Sequence, residues 1–388
     1  MGSSPKAISQ TFPRGGARLA DVLRLGVAAA MLWACTVPRV TPTGGPPSKA
    51  SPSPSSSSTA RVSSPIPTPT VLPSSTPRPR SERVLIVSLD GLRPDALDPN
   101  RTPTILALGE AGAFTLTAQT IHPSVTLPAH GAMLSGYDVE RHGLTWNDYI
   151  PDNGFILTPT LFSLAHDAGL HTEMVVSKEK LVHIASPGSV DEFTYVPGGD
   201  FAVAEQAGIA IADGFDVLFV HFPGPDTAGH QDGWMSPTYL GTVAHSDEAV
   251  ARILAALESA GLREGTLILL TSDHGGHGEV HGSSLPEDVT IPWIVAGPGV
   301  VPGTRLTSPI TVYDTAATAL WALGLTPPAG INGRPVEEAF GEGSAREWTI
   351  PPAFASAPKV PFPAPGPGGR VDTLGPEVDA RAGSRAVE

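Results

Sequence analysis

The sequence predicts an α/β fold, a three-layer α/β/α sandwich around a mostly parallel central sheet. Three observations lead to this prediction. Short runs of β-branched residues and leucine alternate with stretches of helical pattern. These runs are apolar almost without a break, which is typical of strands covered on both faces. Between two proline-rich ends, residues 83–348 form a segment long enough to bury one large core.

Strands and helices are predicted in alternation along this segment. The predicted strands are Val84–Leu89, Thr172–Ser177, Val217–Phe222, Leu267–Thr271 and Ile291–Ala296. The predicted helices are Thr104–Ala111, Pro128–Leu134, Pro159–Ala168, Phe201–Ala212, Tyr239–Ala260 and Tyr313–Leu323. In open α/β sheets the ligand site lies outside the carboxyl ends of the strands. Polar residues that directly follow a strand are therefore the candidates for function.

Residues 1–35 have the features of an export signal. Basic residues up to Arg24 precede the apolar run Leu25–Ala34, which is too short to span a bilayer. The run ends in a Leu-Trp-Ala-Cys sequence that resembles the lipobox of bacterial lipoproteins, in which the cysteine carries the lipid. We therefore expect an exported protein anchored through Cys35 to the outer face of the cell membrane. The alternative is an ordinary signal peptide and a secreted protein.

Two segments that flank the predicted catalytic domain, 83–348, have a biased composition. Residues 36–82 are rich in Pro, Ser and Thr, and residues 349–388 are similarly rich in Pro, Gly and Ala. Such segments do not bury enough apolar area to offset the entropy of ordering them. We expect a disordered linker and a low-complexity tail. The sequence leaves the oligomeric state open.

Charge and cysteine content exclude several classes of function. Residues 1–82 carry a net charge of +7 and the whole chain −14, so residues 83–388 carry −21. A body this acidic repels a nucleic-acid backbone, and we expect no nucleic-acid binding groove. The single cysteine, Cys35, rules out an internal disulfide and any zinc site built from several thiolates.

Aspartate and histidine residues gather where three predicted strands end. All 12 histidines lie between His122 and His281. The candidates for metal ligands in these positions are Asp90, Asp226, His230, Asp273, His274 and His281. Carboxylates and imidazoles without thiolates suit zinc or a similar divalent ion, and this number of ligands suits two ions. Taken singly, Asp90 also fits a simple turn and Asp226 a surface cap.

A candidate nucleophile precedes the second predicted helix. Thr126 lies near the start of that helix, with Pro128 in its first turn. A hydroxyl group there sits beside unpaired backbone N–H groups and the positive end of the helix dipole, which favour a bound phosphoryl group. The alternative is that Thr126 only caps the helix.

The motifs together resemble a known family. In order they are Asp90-Gly91-Leu92-Arg93-Pro94-Asp95, Val125-Thr126-Leu127-Pro128, His142-Gly143, Asp226-x-x-Gly229-His230, and Ser272-Asp273-His274-Gly275 with His281-Gly282. The set looks like the type I phosphodiesterase/nucleotide pyrophosphatase family of the alkaline phosphatase superfamily, over about residues 83–340. The resemblance implies an alkaline-phosphatase-like sandwich and a small phosphoester substrate.

The resemblance also implies two metal ions, zinc by analogy with the family. One ion would be held by Asp226, His230 and His281, and the second by Asp90, Asp273, His274 and the Thr126 oxygen. Asn147 matches an asparagine that donates a hydrogen bond to a phosphoryl oxygen, although it also fits a loop cap. His277 competes with His281 as the last ligand, and the spacing from Asp273 favours His281.

The implied activity is hydrolysis of phosphodiesters or nucleotide pyrophosphates through a phosphothreonine at Thr126. A phosphomonoesterase would use the same ligands with an additional cation against the dianion. Arg93 and Arg141 are candidates for that cation, unless both are ordinary surface charges. A sulfatase is disfavoured, because Thr126 holds the position of the nucleophile and Cys35 is the only cysteine. A non-catalytic lipoprotein that binds metal or ligand is the remaining alternative.

Overall fold

The computed structural model describes residues 8–11, as backbone only, and residues 80–341. All of these residues belong to one compact unit. Cys35, nearly all of the predicted linker 36–82 and the predicted tail 349–388 fall outside the described residues, as does the predicted signal peptide apart from residues 8–11. No helix among the described residues is both long enough and apolar enough to cross a membrane.

A single mixed sheet forms the middle layer. Its strands within the described residues are β1 (Ile8–Thr11), β2 (Arg83–Leu89), β3 (Ala113–Gln119), β4 (Thr172–Val176), β5 (Glu192–Tyr195), β6 (Val217–Phe222), β7 (Thr266–Thr271), β8 (Thr290–Ala296) and β9 (Thr304–Arg305). Their spatial order is β1-β5-β4-β6-β2-β7-β8-β3-β9. From β5 to β7 all neighbours are parallel, whereas β1 and β8 run antiparallel to their neighbours. The mostly parallel sheet predicted from the sequence is confirmed.

Helices cover both faces of the sheet. Within the described residues they are α1 (Pro103–Glu110), α2 (Thr126–Ser135), α3 (Val139–His142), α4 (Leu161–Asp167), α5 (Asp200–Asp213), α6 (Gly224–Asp232), α7 (Pro237–Ser259), α8 (Pro286–Val289) and α9 (Asp314–Ala322). The six helices predicted from the sequence correspond to α1, α2, α4, α5, α7 and α9. The short helices α3, α6 and α8 were not among the predicted helices.

Two apolar cores lie on opposite faces of the sheet. Ile86 of β2 belongs to one core, with Phe162 of α4 and Leu320 of α9. Its neighbour Leu85 belongs to the other core, with Val250 of α7. Successive residues of a strand point to opposite faces, so the continuous apolar runs fill both cores at once. This arrangement confirms the predicted three-layer sandwich.

The direction of β8 differs from the expectation that continuously apolar strands are parallel. β8 pairs antiparallel with β7 and with β3. A continuous apolar run indicates that a strand is buried on both faces. An antiparallel strand inside a sheet whose two faces are covered by helices is buried in the same way. Antiparallel neighbours need no crossover helix. The connection 272–289 therefore stays at the carboxyl end of β7, where it contributes to the site described below.

Candidate active site

Four neighbouring parallel strands end at one edge of the sheet, and each is followed by a charged side chain. In the order β4, β6, β2 and β7, these side chains are Lys178, Asp226, Asp90 and Asp273. Parallel strands place their carboxyl ends side by side. Residues that are far apart in the sequence thus meet because of the order of the strands.

Gly91 allows the turn after β2 to approach helix α6. Its φ is +73°, and a Cβ atom there would lie 2.9 Å from the Cα atom of Asp226. The N–H of Asp226 donates a hydrogen bond of 2.9 Å to the carbonyl oxygen of Asp90. Only glycine combines this backbone angle with so close an approach. The Asp-Gly pair thereby brings the Asp90 and Asp226 carboxylates together.

Asp226, His230 and His281 form the first group of possible metal ligands, whose ligand atoms lie within 4.8 Å of one another. One turn of α6 separates Asp226 from His230. The Nδ1 atoms of His230 and His281 lie 2.8 Å from the carbonyl oxygens of Glu279 and Ser124. Such bonds fix the tautomer and leave Nε2 as the ligand atom. Both Nε2 atoms point toward Asp226 Oδ1, at 3.4 and 3.5 Å.

Asp90, Asp226 and His274 form the second group, within the same 4.8 Å limit. His274 Nδ1 lies 2.8 Å from the carbonyl oxygen of Gly275, and its Nε2 lies 3.4 Å from Asp90 Oδ1 and 3.3 Å from Asp273 Oδ2. The structure differs from the predicted set in two respects. Asp273, predicted as a ligand, lies beside the group without being a member of it, and Asp226 belongs to both groups instead of to the first alone.

Four buried polar atoms at this centre have no hydrogen-bond partner among the described residues. They are Asp90 Oδ1, Asp226 Oδ1, Asp273 Oδ2 and His274 Nε2. A buried acceptor without a partner costs free energy, and three carboxylates so close together repel one another. Divalent cations would satisfy all four atoms at once. The residues present therefore fit the metal ions that the family resemblance implies.

The protonation states of Asp90 and of the imidazoles at the centre suit metal ligands. Burial alone would raise the pKa of the Asp90 carboxyl, but the Lys178 charge and then the hydrogen bond with His221 hold it well below its usual range. Burial and then the Asp90 charge raise the pKa of Asp273 to about 7. Burial lowers the pKa of His274, and burial together with His274 lowers that of His281 to about 4. Both imidazoles are thus neutral near pH 7, as metal ligation requires.

Thr126 is the first residue of α2, because the helix begins two residues before the predicted Pro128–Leu134, and it is buried. The backbone N–H of Leu127 donates a 2.9 Å hydrogen bond to Asn147 Oδ1. Asn147 therefore lies beside the amino-terminal end of the helix that begins with Thr126. With its oxygen accepting this bond, the NH2 group of Asn147 is the part able to donate to a ligand.

Two lysines of the site were not predicted from the sequence. Lys178 Nζ lies 2.7 Å from Asp90 Oδ2, 2.6 Å from Asp226 Oδ2 and 3.3 Å from the Thr126 hydroxyl. Lys180 Nζ lies 3.1 Å from Asn147 Oδ1. A signal for them was present, because Lys178 follows a predicted strand as closely as the aspartates do.

Two buried histidines, His221 and His130, contact the carboxylates of the centre. His221 Nε2 lies 2.8 Å from Asp90 Oδ2. His130 Nδ1 lies 2.8 Å from the Thr126 carbonyl oxygen and 3.4 Å from Asp273 Oδ2. Burial lowers the pKa of His130 to about 4. These neutral rings fix the carboxylates and the first turn of α2, a role that the sequence alone did not reveal.

Three other candidates lie outside the two ligand groups. His277 Nδ1 lies 2.7 Å from Asp288 Oδ1, so His281 and not His277 accompanies Asp226. Arg93 forms a 2.7 Å ion pair with Asp95, and Arg141 donates to a backbone carbonyl. The cations that contact the Thr126 region are the two lysines instead of the two arginines.

Comparison with known proteins agrees with this geometry. The family model described as type I phosphodiesterase/nucleotide pyrophosphatase matches residues 84–158 and 197–284. An uncharacterized pyrophosphatase/phosphodiesterase of Schizosaccharomyces pombe is 25% identical over 215 residues, which cover 50% of this chain and 44% of the relative. Steryl-sulfatase of Rattus norvegicus is 33% identical over 135 residues, 29% of this chain and 23% of the relative.

A solved structure shows the same fold. Murine ectonucleotide pyrophosphatase/phosphodiesterase 5 superimposes with a TM-score of 0.55 at 16% identity, over 64% of this chain and 96% of that one. The chain spans less than half the length of both curated relatives. The ordered motifs, the fold and the family match lead to one conclusion. This chain belongs to the type I phosphodiesterase/nucleotide pyrophosphatase family.

Proposed function

We propose that this protein is a metal-dependent phosphoric ester hydrolase that uses Thr126 as its nucleophile. One observation carries the proposal: the Thr126 hydroxyl lies at the start of α2, beside two groups of metal-ligand side chains that share Asp226. Membership of a phosphodiesterase family supports the reaction class.

The proposed ions are two divalent cations, zinc by resemblance to the family. When bound, they would neutralise the carboxylates and lower the pKa of the Thr126 hydroxyl. The proposed ligands of one ion are Asp226, His230 and His281, and those of the other are Asp90, Asp273, His274 and Thr126. In our scheme Asp226 also faces the second ion, because its carboxylate belongs to both groups.

The residues of the chain orient the phosphoryl transfer. The Thr126 oxygen attacks phosphorus, the new oxygen–phosphorus bond forms, and the bond to the leaving oxygen breaks. The Thr126 hydroxyl releases its proton to solvent as it attacks. The leaving group departs with the bonding electrons and takes up a proton from solvent. Negative charge on the phosphoryl oxygens is stabilised by the amino-terminal end of α2 and by the NH2 group of Asn147.

Hydrolysis of the covalent intermediate completes the reaction. Water attacks the phosphothreonine at Thr126, the bond between phosphorus and the threonine oxygen breaks, and the hydroxyl is restored. The same oxygen serves in both steps, and the contact of His130 with the backbone carbonyl of Thr126 holds this residue in place. The products are the leaving group, an alcohol from an ester or a phosphate from a pyrophosphate, and a phosphate or phosphate monoester.

The first candidate substrate is a phosphodiester or nucleotide pyrophosphate. The name of the family supports this choice, and the murine relative was solved in complex with AMP. A phosphate monoester is the second candidate, favoured by the two ammonium groups of Lys178 and Lys180 near the Thr126 hydroxyl.

We further propose that the enzyme works outside the cytoplasm as a lipoprotein, or else as a secreted protein. The basic leader, the short apolar run and the lipobox-like sequence ending at Cys35 support export.

The experiment that tests the proposed function compares Thr126→Ala and Thr126→Ser with the wild type. We expect Thr126→Ala to lose at least about 10³-fold in turnover of activated phosphoesters, because it lacks the attacking oxygen. Thr126→Ser keeps that oxygen and should retain part of the activity. Acid-quenched wild type should carry one phosphoryl group on the peptide that contains Thr126, detected by mass spectrometry.

Metal content measured by elemental analysis is the control. Thr126→Ala should keep most of its bound metal, since six other side chains remain as ligands. Hydrolysis by Thr126→Ala at the wild-type rate, with metal retained, would remove Thr126 from the mechanism.

A further inference from the structure

We infer that Lys178 and Lys180 make this site selective for the dianionic phosphoryl group of phosphate monoesters over phosphodiesters. The inference rests on the proposed function and decides between its two candidate substrates: the charges of this chain's own site favour the phosphate monoester over the class in the family's name. A monoester carries close to two negative charges near pH 7, whereas a diester carries one. Selectivity between them requires positive charge beyond what a diester needs.

The distribution of lysine is the first observation. Residues 80–341, with residues 8–11, are the part of the chain that the structure describes, and they contain only two lysines. Both lie at the candidate active site, on the segment that directly follows β4. In this acidic domain both lysine side chains are thus placed at the one edge where carboxylates converge.

Lys178 is within reach of the reacting group. Its Nζ atom lies 3.3 Å from the Thr126 hydroxyl, and its side chain is only 19% exposed. A phosphorus atom bonded to the Thr126 oxygen must hold its other oxygens in the same neighbourhood. The ammonium group also contacts Asp90 and Asp226, and it can donate to a phosphoryl oxygen once cations neutralise these carboxylates.

Lys180 adds a second positive charge near the start of α2, beside Asn147. Its Nζ atom lies 3.1 Å from Asn147 Oδ1, the oxygen that also accepts from the N–H of Leu127. Lys180 therefore orients the Asn147 amide. Lys178 contacts the Thr126 hydroxyl and Lys180 contacts Asn147, so both ammonium groups lie near the start of α2.

Charge balance favours the dianion. Two divalent ions are offset by three carboxylates and a Thr126 alkoxide, which leaves a centre near neutrality. The two ammonium groups then add two positive charges, as many as a monoester dianion neutralises. A diester would leave one of them uncompensated in a partly buried site, which costs free energy.

The neutral ester group of a diester is a further disadvantage. In a diester, an esterified oxygen would take the place of one charged oxygen near Lys178 or Lys180. An esterified oxygen is a weaker hydrogen-bond acceptor for a buried ammonium group than a charged one. A ligand that leaves a buried charge without a partner is rejected more strongly than a ligand that only fits poorly in shape.

The test compares two substrates with the same leaving group, p-nitrophenyl phosphate and methyl p-nitrophenyl phosphate. The metal-loaded variants are Lys178→Met, Lys180→Met and Lys178→Arg, and Arg141→Met is the matched control. Arg141 is a cation outside the ligand groups that donates to a backbone carbonyl. Elemental analysis checks that every variant holds its metal.

We expect wild type to prefer the monoester in kcat/KM. Each Lys→Met change should lower the ratio of monoester to diester kcat/KM by about 10- to 100-fold, the worth of one hydrogen bond to a charged group. Lys178→Arg should restore part of the ratio, and Arg141→Met should leave it unchanged. Isothermal calorimetry with inorganic phosphate, a readout independent of turnover, should show weaker binding to both Met variants.

The outcomes separate this inference from the proposed function. If wild type prefers the diester, or if the Met variants keep both the wild-type ratio and the wild-type phosphate affinity, the lysine assignment is overturned while the hydrolase survives. If neither ester is hydrolysed, the proposed function fails. Calorimetry then still tests the lysine assignment. Weaker phosphate binding in the Met variants than in wild type supports the inference, and equal phosphate binding overturns it.

Discussion

Replacing Gly91 by alanine tests how the turn after β2 assembles the metal centre. At φ +73° an L-residue pays about 1–2 kcal/mol for the left-handed backbone. The added Cβ would also lie 2.9 Å from Asp226 Cα and 3.0 Å from its Cβ and N atoms. Forcing such contacts apart costs about 1–3 kcal/mol more. We expect Gly91→Ala to lose about 2–5 kcal/mol of unfolding free energy, since the two costs add.

Gly261→Ala is the matched control. Gly261 has a φ of +69°, and a Cβ added there would meet nothing within 4 Å. This variant should lose only the free energy of the left-handed backbone, about 1–2 kcal/mol of unfolding free energy. Urea unfolding followed by circular dichroism measures both free energies.

Metal affinity and turnover complete the comparison. Relief of the clash in Gly91→Ala must move the Asp226 backbone away from Asp90, which widens the second ligand group. We expect this variant to lose metal affinity and activity, while Gly261→Ala keeps both. Equal destabilisation of the two variants, with full metal binding in Gly91→Ala, would refute the idea that this close approach positions the carboxylates.

Three further predictions concern the centre, the pH dependence and the anchor. Asp226→Asn should release both metal ions, because this carboxylate belongs to both ligand groups; one ion retained per chain in elemental analysis would contradict the shared role. Burial lowers the pKa of His142 from 6.5 to about 4. The unfolded chain therefore binds a proton that the folded chain does not between these values, and the fold should lose about 3 kcal/mol as the pH falls through this window. In His142→Asn, the unfolding free energy measured with urea should fall less steeply between pH 6.5 and 4 than in wild type. An unchanged dependence on pH would exclude this histidine as the cause. Cys35→Ser should move the protein from the membrane fraction to the soluble fraction, and continued membrane association would contradict lipidation.

Local sequence signals were sufficient for most elements of the fold. Continuous apolar runs identified β2, β4, β6, β7 and β8, because burial on both faces leaves no polar position in the run. Strand β3 was not predicted, since threonines interrupt its apolar pattern. The antiparallel direction of β8 was not predicted either, because burial carries no information about the direction of a strand.

The sequence by itself determined which side chains were candidates for chemistry. Asp90, Asp226 and Asp273 each follow a strand, and the rule that ligand sites lie at strand ends was enough to select them. Thr126 was selected by the same kind of local argument, as a hydroxyl at the start of a helix.

Only the tertiary structure decided how these side chains combine. The order of β4, β6, β2 and β7 in the sheet places Asp226 between Lys178 and Asp90. Lys178 Nζ therefore contacts both carboxylates, and Asp226 is common to both ligand groups. The connection 272–289 decided that His281 faces the centre while His277 binds Asp288. The physical reason is that periodicity along a chain encodes burial, whereas distances between remote residues depend on the order in which strands pair.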